Sequence, residues 1–176
     1  YSVDNSVSIP NNEAIGNVNF KDKLISRINS ATHSLDIAVY SFYGLNDVAN
    51  AIISAKNDRN VKVRVVYDSR DMQSSMQLLA DAGILISKRT NSDGIMNNKF
   101  MIVDARDSIK NNDWVWTGSW NWNPLNNRNN VIEINDPALA ETYTIEFEEM
   151  WGSSNEIPSS SARFADSKLD NTSHIF

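Results

Sequence analysis

Lys99, Ser119 and Asn121 bring an ammonium, a hydroxyl and an amide to the ends of two successive apolar runs. Lys99 opens the apolar run Phe100-Met101-Ile102-Val103, and Asp104 closes it. Such a run reads as a strand buried on both faces. A lysine opening a buried strand is drawn to the sheet edge, where its ammonium can meet an anion. A second apolar strand, Trp114 to Thr117, leads into Gly118-Ser119-Trp120-Asn121, which offers a hydroxyl and an amide. An ammonium, a hydroxyl and an amide converging on one point make a cradle for an oxyanion or a phosphate. Taken singly, Lys99 is an ordinary strand-end lysine and Ser119 and Asn121 are turn residues. It is their succession after two consecutive strands that points to a site.

The elements that must position these groups follow from periodicity. Phe20, Leu24, Ile25 and Ile28 recur at helical spacing between Phe20 and Ala31. Leu35, Ile37 and Val39 alternate with Asp36, Ala38 and Tyr40, the period of a strand. Asp47 to Asn57 reads as a second helix, and Val61, Val63 and Val65 as a second strand. Met72, Met76 and Leu79 mark a third helix closed by Gly83, and a short strand follows at Ile84 to Ser87. Two strands then follow with no helix between them, Lys99–Asp104 and Trp114–Gly118, joined by the polar stretch 105–113. Val131–Ile134 is another strand. Asp136 and Pro137 supply an N-cap and first-turn proline for a last helix, with an apolar stripe of Leu139, Tyr143, Phe147, Met150 and Trp151 and a stop at Gly152. Val3, Val7 and Ile9 suit an edge strand. This order predicts an α/β fold with a largely parallel first half, occupying residues 1–152. Residues 153–176, rich in Ser, Asn and Asp, read as a polar tail or an interdomain linker.

The 176 residues suffice for one domain with a real core. No apolar run is long enough to span a bilayer. The absence of cysteine excludes disulfides and thiolate ligands, and the two histidines, His33 and His174, are too far apart in sequence to suggest a metal site. The net charge of −6 argues against a broad nucleic-acid surface or tight docking on anionic membranes. Any polyanion must therefore meet a local cationic groove, for which Lys62, Arg64, Lys88, Arg89 and Arg128 are the candidates.

The combined pattern resembles the phospholipase D superfamily, whose signature is His-x-Lys-x4-Asp followed by Gly-Ser-x-Asn. Lys99, Asp104, Gly118, Ser119 and Asn121 match in type and order, and the resemblance extends over roughly residues 15 to 152. It implies an α-β-α sandwich with a mixed central sheet. It also implies a phosphodiesterase that needs no metal or other cofactor. In that chemistry the motif histidine attacks phosphorus to form a phosphohistidine, a second motif copy protonates the leaving group, and water then releases the phosphate ester. Lys99, Ser119 and Asn121 would hold the non-bridging oxygens, and Asp104 would support the site.

Two positions depart from the pattern. Asn97 stands where the family has its histidine, and a side-chain amide is neither basic nor nucleophilic near neutral pH. Neither His33, between the first helix and its strand, nor His174, near the end, replaces it by position. We expect Asn97 to be an inactivating change in a chain that otherwise keeps its site. The alternative is a natural pseudoenzyme, a phosphate-ester-binding module without catalysis. In the family's small bacterial nucleases a glutamate in an Asn-x-Glu-Asn stretch orients the imidazole. Here that position falls on Asn129, and Glu133 is a candidate substitute.

The substrate class implied is a nucleic-acid or phospholipid diester. Trp120, Trp122, Tyr40, Phe42 and Tyr43 could stack bases, contact acyl chains or simply fill the core. One motif is half an active site, so the resemblance implies a homodimer or a second motif-bearing half of a longer chain. A start at Tyr1, the absence of cysteine and the abundance of Asn and Ser fit a secreted or periplasmic protein. The triplet Asn171-Thr172-Ser173 is a sequon of little weight.

Overall fold

The first and last helices are set by side-chain caps encoded in the local sequence. The computed structural model describes residues 18–68, 72–88, 95–125 and 129–162. Asn19 caps α1 (Phe20–Ser30), its side chain accepting from the Asp22 N–H. β1 (Ser34–Val39) follows, then α2 (Asn46–Arg59), β2 (Lys62–Tyr67), α3 (Ser74–Asp81) and β3 (Leu85–Lys88). β4 (Lys99–Val103) and β5 (Trp114–Gly118) form a hairpin, and β6 (Val131–Asn135) precedes α4 (Pro137–Trp151). The Asp136 carboxylate accepts from the N–H groups of Ala138 and Leu139, Pro137 opens α4, and Gly152 closes it in the left-handed conformation.

The six strands form one sheet in the order β3-β2-β1-β4-β5-β6. β1 pairs with β2, and β2 with β3, in parallel. β4, β5 and β6 extend the sheet in antiparallel fashion from the other side of β1. The expected mixed α/β sheet is therefore present, with its parallel half first. α1, α2 and α3 cover one face, where Leu24, Ile28, Ile52 and Leu79 pack on Ile37, Val65, Met101 and Trp116. α4 covers the other, with Phe147, Met150 and Trp151 on Val66, Phe100, Ile102 and Val115.

The alternation in β1 does not mark one wet and one dry face. All six of its residues are buried because both faces are covered. Asp36 is consequently a buried carboxylate, 1% exposed, and it is paired with Arg64 through two hydrogen bonds of 2.7 Å. This removes Arg64 from the cationic groove candidates: it is fully buried beneath Phe147 and Trp151 of α4. Lys62 is removed as well, since it opens β2 at the end of the sheet away from Lys99. Lys88 closes β3 and is exposed at the same sheet edge as Lys99. Met72 precedes α3 rather than belonging to it, and is half exposed.

The stretch after Gly152 does not leave the domain at once. Asn155 O accepts from Trp151 Nε1 at 3.0 Å and from Arg64 Nη1 at 3.1 Å, and Glu156 pairs with Arg106. Residues 153–162 thus pack back on α4 and the sheet. The expected edge strand at Val3–Ile9, the cations Arg89 and Arg128, His174 and the sequon lie outside the described residues.

Candidate active site

The carboxyl ends of β1, β2 and β3, the start of β4 and the end of β5 all meet at one edge of the sheet. β1 has a parallel neighbour on one side and an antiparallel one on the other, so the chain connections diverge at this end. Crevices at such points are the usual ligand sites of open α/β sheets.

Strand alternation sorts the motif. Lys99 shares its face with Met101 and Val103, whereas Asn98 turns to the other, where its amide reaches Glu146 and Met150 of α4. One intervening residue therefore puts position 97 and Lys99 on the same side. The Lys99 ammonium donates to Asn97 Oδ1 at 2.6 Å and to Asn97 O at 2.7 Å, and lies 5.6 Å from the Tyr40 ring centre. Burial pushes the Lys99 pKa below the ordinary lysine value, because the site desolvates the charge.

β5 delivers Ser119. Continuing the β4–β5 register past Phe100↔Thr117 sets Lys99 beside Gly118, one residue before the serine. A Cβ at Gly118 would lie 2.2 Å from Asn130 O, so only glycine lets the two backbones approach this closely. Ser119 N donates to Asn130 O at 3.0 Å, and Asn130 N donates to Ser119 Oγ at 3.0 Å. The hydroxyl itself donates to Asn129 Oδ1 at 3.3 Å. Position 129 is thus held against the motif serine. Asn121 follows; its Oδ1 is buried with no hydrogen-bond partner among the described residues. No hydrogen bond among the described residues fixes the two ends of that amide, so it can present NH2 to an anion.

Two expected site residues stand elsewhere. Asp104 lies at the opposite end of β4 from Lys99, ~16 Å along the strand. It adopts the left-handed conformation at φ 61°. Its carboxylate accepts from the N–H groups of Thr32, His33 and Ser34, from Thr32 Oγ1 and from Asn112 Nδ2. It ties the α1–β1 turn to β4 and cannot touch a substrate at the Lys99 edge, so the support expected of Asp104 is structural and not catalytic. His33 sits in this same turn, away from the crevice. Glu133 is on β6, with its carboxylate held by Arg27 at 3.0 Å and Lys23 at 3.7 Å, both on α1. It fastens α1 to the sheet and is not brought to Asn97.

The aromatics divide. Trp122 is fully buried edge-on to Phe42, and Trp120 is 7% exposed against Phe20. These rings fix the loop through a bridge between Phe42 and Trp122. Tyr40 faces the ammonium instead. Two positioning residues have little sequence signal. Asp68, 2% exposed just after β2, accepts from Met96 N at 3.0 Å and anchors the entry to the motif. Gln73 Oε1 accepts from Ser41 Oγ and Phe42 N, holding the loop after β1. Asp68 directly follows an apolar strand, which is its one legible sign; Gln73 has none.

The family model for the cardiolipin synthase, PLD-like domain matches residues 24–151. A mitochondrial cardiolipin hydrolase of Danio rerio is 32% identical over 139 residues, covering 76% of this chain and 57% of that protein. The chain therefore spans little more than half the length of that relative. Among solved structures, Nuc, a phospholipase D family member from Salmonella typhimurium, aligns with TM-score 0.60 and 30% identity, covering 79% of this chain and 91% of Nuc. NucT from Helicobacter pylori aligns with TM-score 0.60 and 26% identity over 75% of this chain and 87% of NucT. With the motif on adjacent strands of a matching sheet, the chain belongs to the phospholipase D superfamily.

Proposed function

We propose that this crevice is a metal-independent phosphodiesterase site that Asn97 silences. The observation that carries the reading is the 2.6 Å contact between Lys99 Nζ and the side chain at position 97. A phosphate bound to that ammonium lies beside whatever group stands at 97. With histidine there, a ring nitrogen attacks phosphorus and forms a P–N bond. The alkoxide leaves with a proton from a second motif, and water then cleaves the P–N bond to release the phosphomonoester. Lys99, Ser119 and Asn121 offset the negative charge that grows on the non-bridging oxygens. An amide nitrogen has its lone pair delocalised and cannot start this sequence. The second motif comes from a symmetry-related copy in a homodimer, or from a second motif-bearing half of a longer chain. The diester is a nucleic acid or a phospholipid; the similarity to a cardiolipin hydrolase supports the second, and the compact single-motif domain the first.

A second reading has its own support. Asn129 occupies the place of the orienting glutamate, so both groups that would make and hold an imidazole nucleophile are asparagines. Each is built into a hydrogen bond, Asn97 to Lys99 and Asn129 to Ser119. A phosphate-ester-binding module would carry such a pair. The test is hydrolysis by Asn97→His, and by Asn97→His with Asn129→Glu, in EDTA on plasmid DNA, single-stranded oligonucleotide, RNA and phosphatidylcholine vesicles. Turnover by either protein on one class supports the phosphodiesterase and names its substrate. Silence of both, as folded dimers, sinks it in favour of the binding module.

A further inference from the structure

Beside the phosphate cradle a cavity of about 400 Å³ opens between the start of α1, the loop before α2 and the loop after Ser119. Asn129 belongs to both: it lines the cavity and accepts from Ser119 Oγ. A substituent on a phosphate held at Ser119 therefore has this cavity within reach through Asn129. The volume is in the usual range for small-molecule sites, roughly 300–1,000 Å³.

Its walls are mixed. Phe20 offers a half-buried ring, backed by Trp120 with centres 5.8 Å apart. Leu45 is buried behind it, while Leu125 stands 52% exposed at one side. The polar wall is made of amides. Asn123 is 7% exposed, and its Oδ1 accepts from Leu125 N. Its NH2 carries no hydrogen bond among the described residues. The Lys21–Asp47 ion pair, partly exposed, completes the rim. An acyl chain needs a long apolar slot, and a cavity walled by asparagines and an ion pair desolvates it badly. A nucleobase needs a ring face and edge donors and acceptors, which this cavity has.

We propose that this cavity binds the nucleoside on one side of the scissile phosphate. It rests on the phosphodiester reading of the Lys99–Ser119 cradle and narrows it to nucleic acid. A base must leave its stack to enter, which a single strand allows without the cost of unpairing. Phe20 is the stacking face, Asn123 and Asn129 meet the base or sugar edge, and Leu125 closes over it.

The test is binding by the chain as it stands, which leaves a diester intact. The probes are the dinucleoside monophosphate dTpdT, dimethyl phosphate as the bare diester, and dihexanoylphosphatidylcholine below its micelle concentration, titrated into 15N-labelled protein. The expected result is that dTpdT binds about tenfold or more tighter than dimethyl phosphate, the scale of one stacked base. Leu125→Trp, which fills the open side from an exposed position, and the milder Phe20→Leu should each lower dTpdT to the dimethyl phosphate level. Neither should change dimethyl phosphate binding, and the amide spectrum reports that each is folded. The proposal is overturned if folded pocket variants bind dTpdT as tightly as the parent. It is equally overturned if the phosphatidylcholine, rather than dTpdT, gains affinity from the pocket. Lys99→Met separates the two levels. If it abolishes all binding while the pocket variants change nothing, only the pocket proposal fails. If it leaves dimethyl phosphate binding intact, the cradle reading fails and takes the pocket proposal with it.

Discussion

At the amino end of β1 the Asp104 carboxylate gathers three backbone N–H groups, a hydroxyl and an amide, all within 3.1 Å. Nearby, Asp36 holds Arg64 by two short bonds, and Arg106 Nε lies 3.2 Å from the same carboxylate. At the carboxyl end of the same strands, Lys99 is desolvated, and among the described residues a neighbouring asparagine is its one hydrogen-bond acceptor and Asn121 Oδ1 has no partner. Both ends are polar and both lie on the motif strand. The Asp104 and Asp36 carboxylates are closed by hydrogen bonds from within the protein, and a closed group has nothing left for a ligand, although Asn112 Oδ1 and both Asp113 carboxylate oxygens at this end are buried without a hydrogen-bond partner among the described residues. The carboxyl end is held open by its surroundings: Asp68, Gln73, Gly118 and Asn130 position the backbone while the side chains facing the crevice stay undersatisfied. Undersatisfaction, more than residue type, separates Lys99 from Asp104.

The largest effects should come from breaking the closed end. Arg64→Met leaves Asp36 charged and buried, and should cost about 3–5 kcal/mol in urea unfolding. Adding Asp36→Leu should recover much of that loss, because the pair is then replaced rather than broken. Asp104→Ala orphans the Thr32, His33 and Ser34 N–H groups and should cost about 2–4 kcal/mol. Phosphate affinity per folded molecule should be unchanged in both. A loss of affinity in Asp104→Ala at full stability would break the division between the two ends.

Much of this arrangement is legible locally. The Asp136-Pro137 start and Gly152 stop of α4, and the β4–β5 hairpin with its serine loop, need only neighbours in the chain. What is illegible depends on register between distant strands. Arg64 looks like a surface cation in an alternating strand. It is buried because the parallel pairing of β1 and β2 sets it opposite Asp36 and α4 then covers both. Trp120 and Trp122 look like stacking platforms in a loop, and pack inward because Phe20 and Phe42 await them. Glu133 shares a strand with the site's neighbours, but Arg27 of α1, stacked 3.5 Å from the Trp114 ring centre, claims it. Phe20 reads as a helix-face core residue, and its place beside the cradle appears only when three loops meet.

At the open end, Lys99→Met should abolish phosphate-diester binding at neutral pH and leave stability unchanged or slightly raised, since a desolvated charge is removed. The pH dependence follows from the lowered pKa. Between that folded value and the ordinary 10.5, the unfolded chain binds the proton more tightly than the folded one. Raising the pH through this window should therefore stabilise the parent relative to Lys99→Met, with no change below it. Urea midpoints at neutral pH and at pH about 10 measure the difference. A parent that loses stability relative to the variant on going to high pH would mean that Lys99 is paired, and the open end not open.

Asn97→Ala should have the smallest effect, and its sign carries the information. The ammonium has three N–H bonds, and Asn97 takes two of them, one through its backbone oxygen and one through Oδ1. A phosphate that seeks the full charge must displace the Oδ1 contact, while the backbone contact can remain. Removing the side chain removes that competitor and should tighten binding of a simple diester about two- to tenfold, the worth of one net hydrogen bond. A module adapted to hold phosphate esters predicts the reverse: Asn97 turns its NH2 toward the ligand, and alanine weakens binding by a similar factor. Titration of both proteins with dimethyl phosphate at fixed ionic strength decides between them. Tighter binding means that Asn97 obstructs a site shaped for another residue. Weaker binding means that the asparagine is itself part of the cradle, and that the open end is complete as it stands.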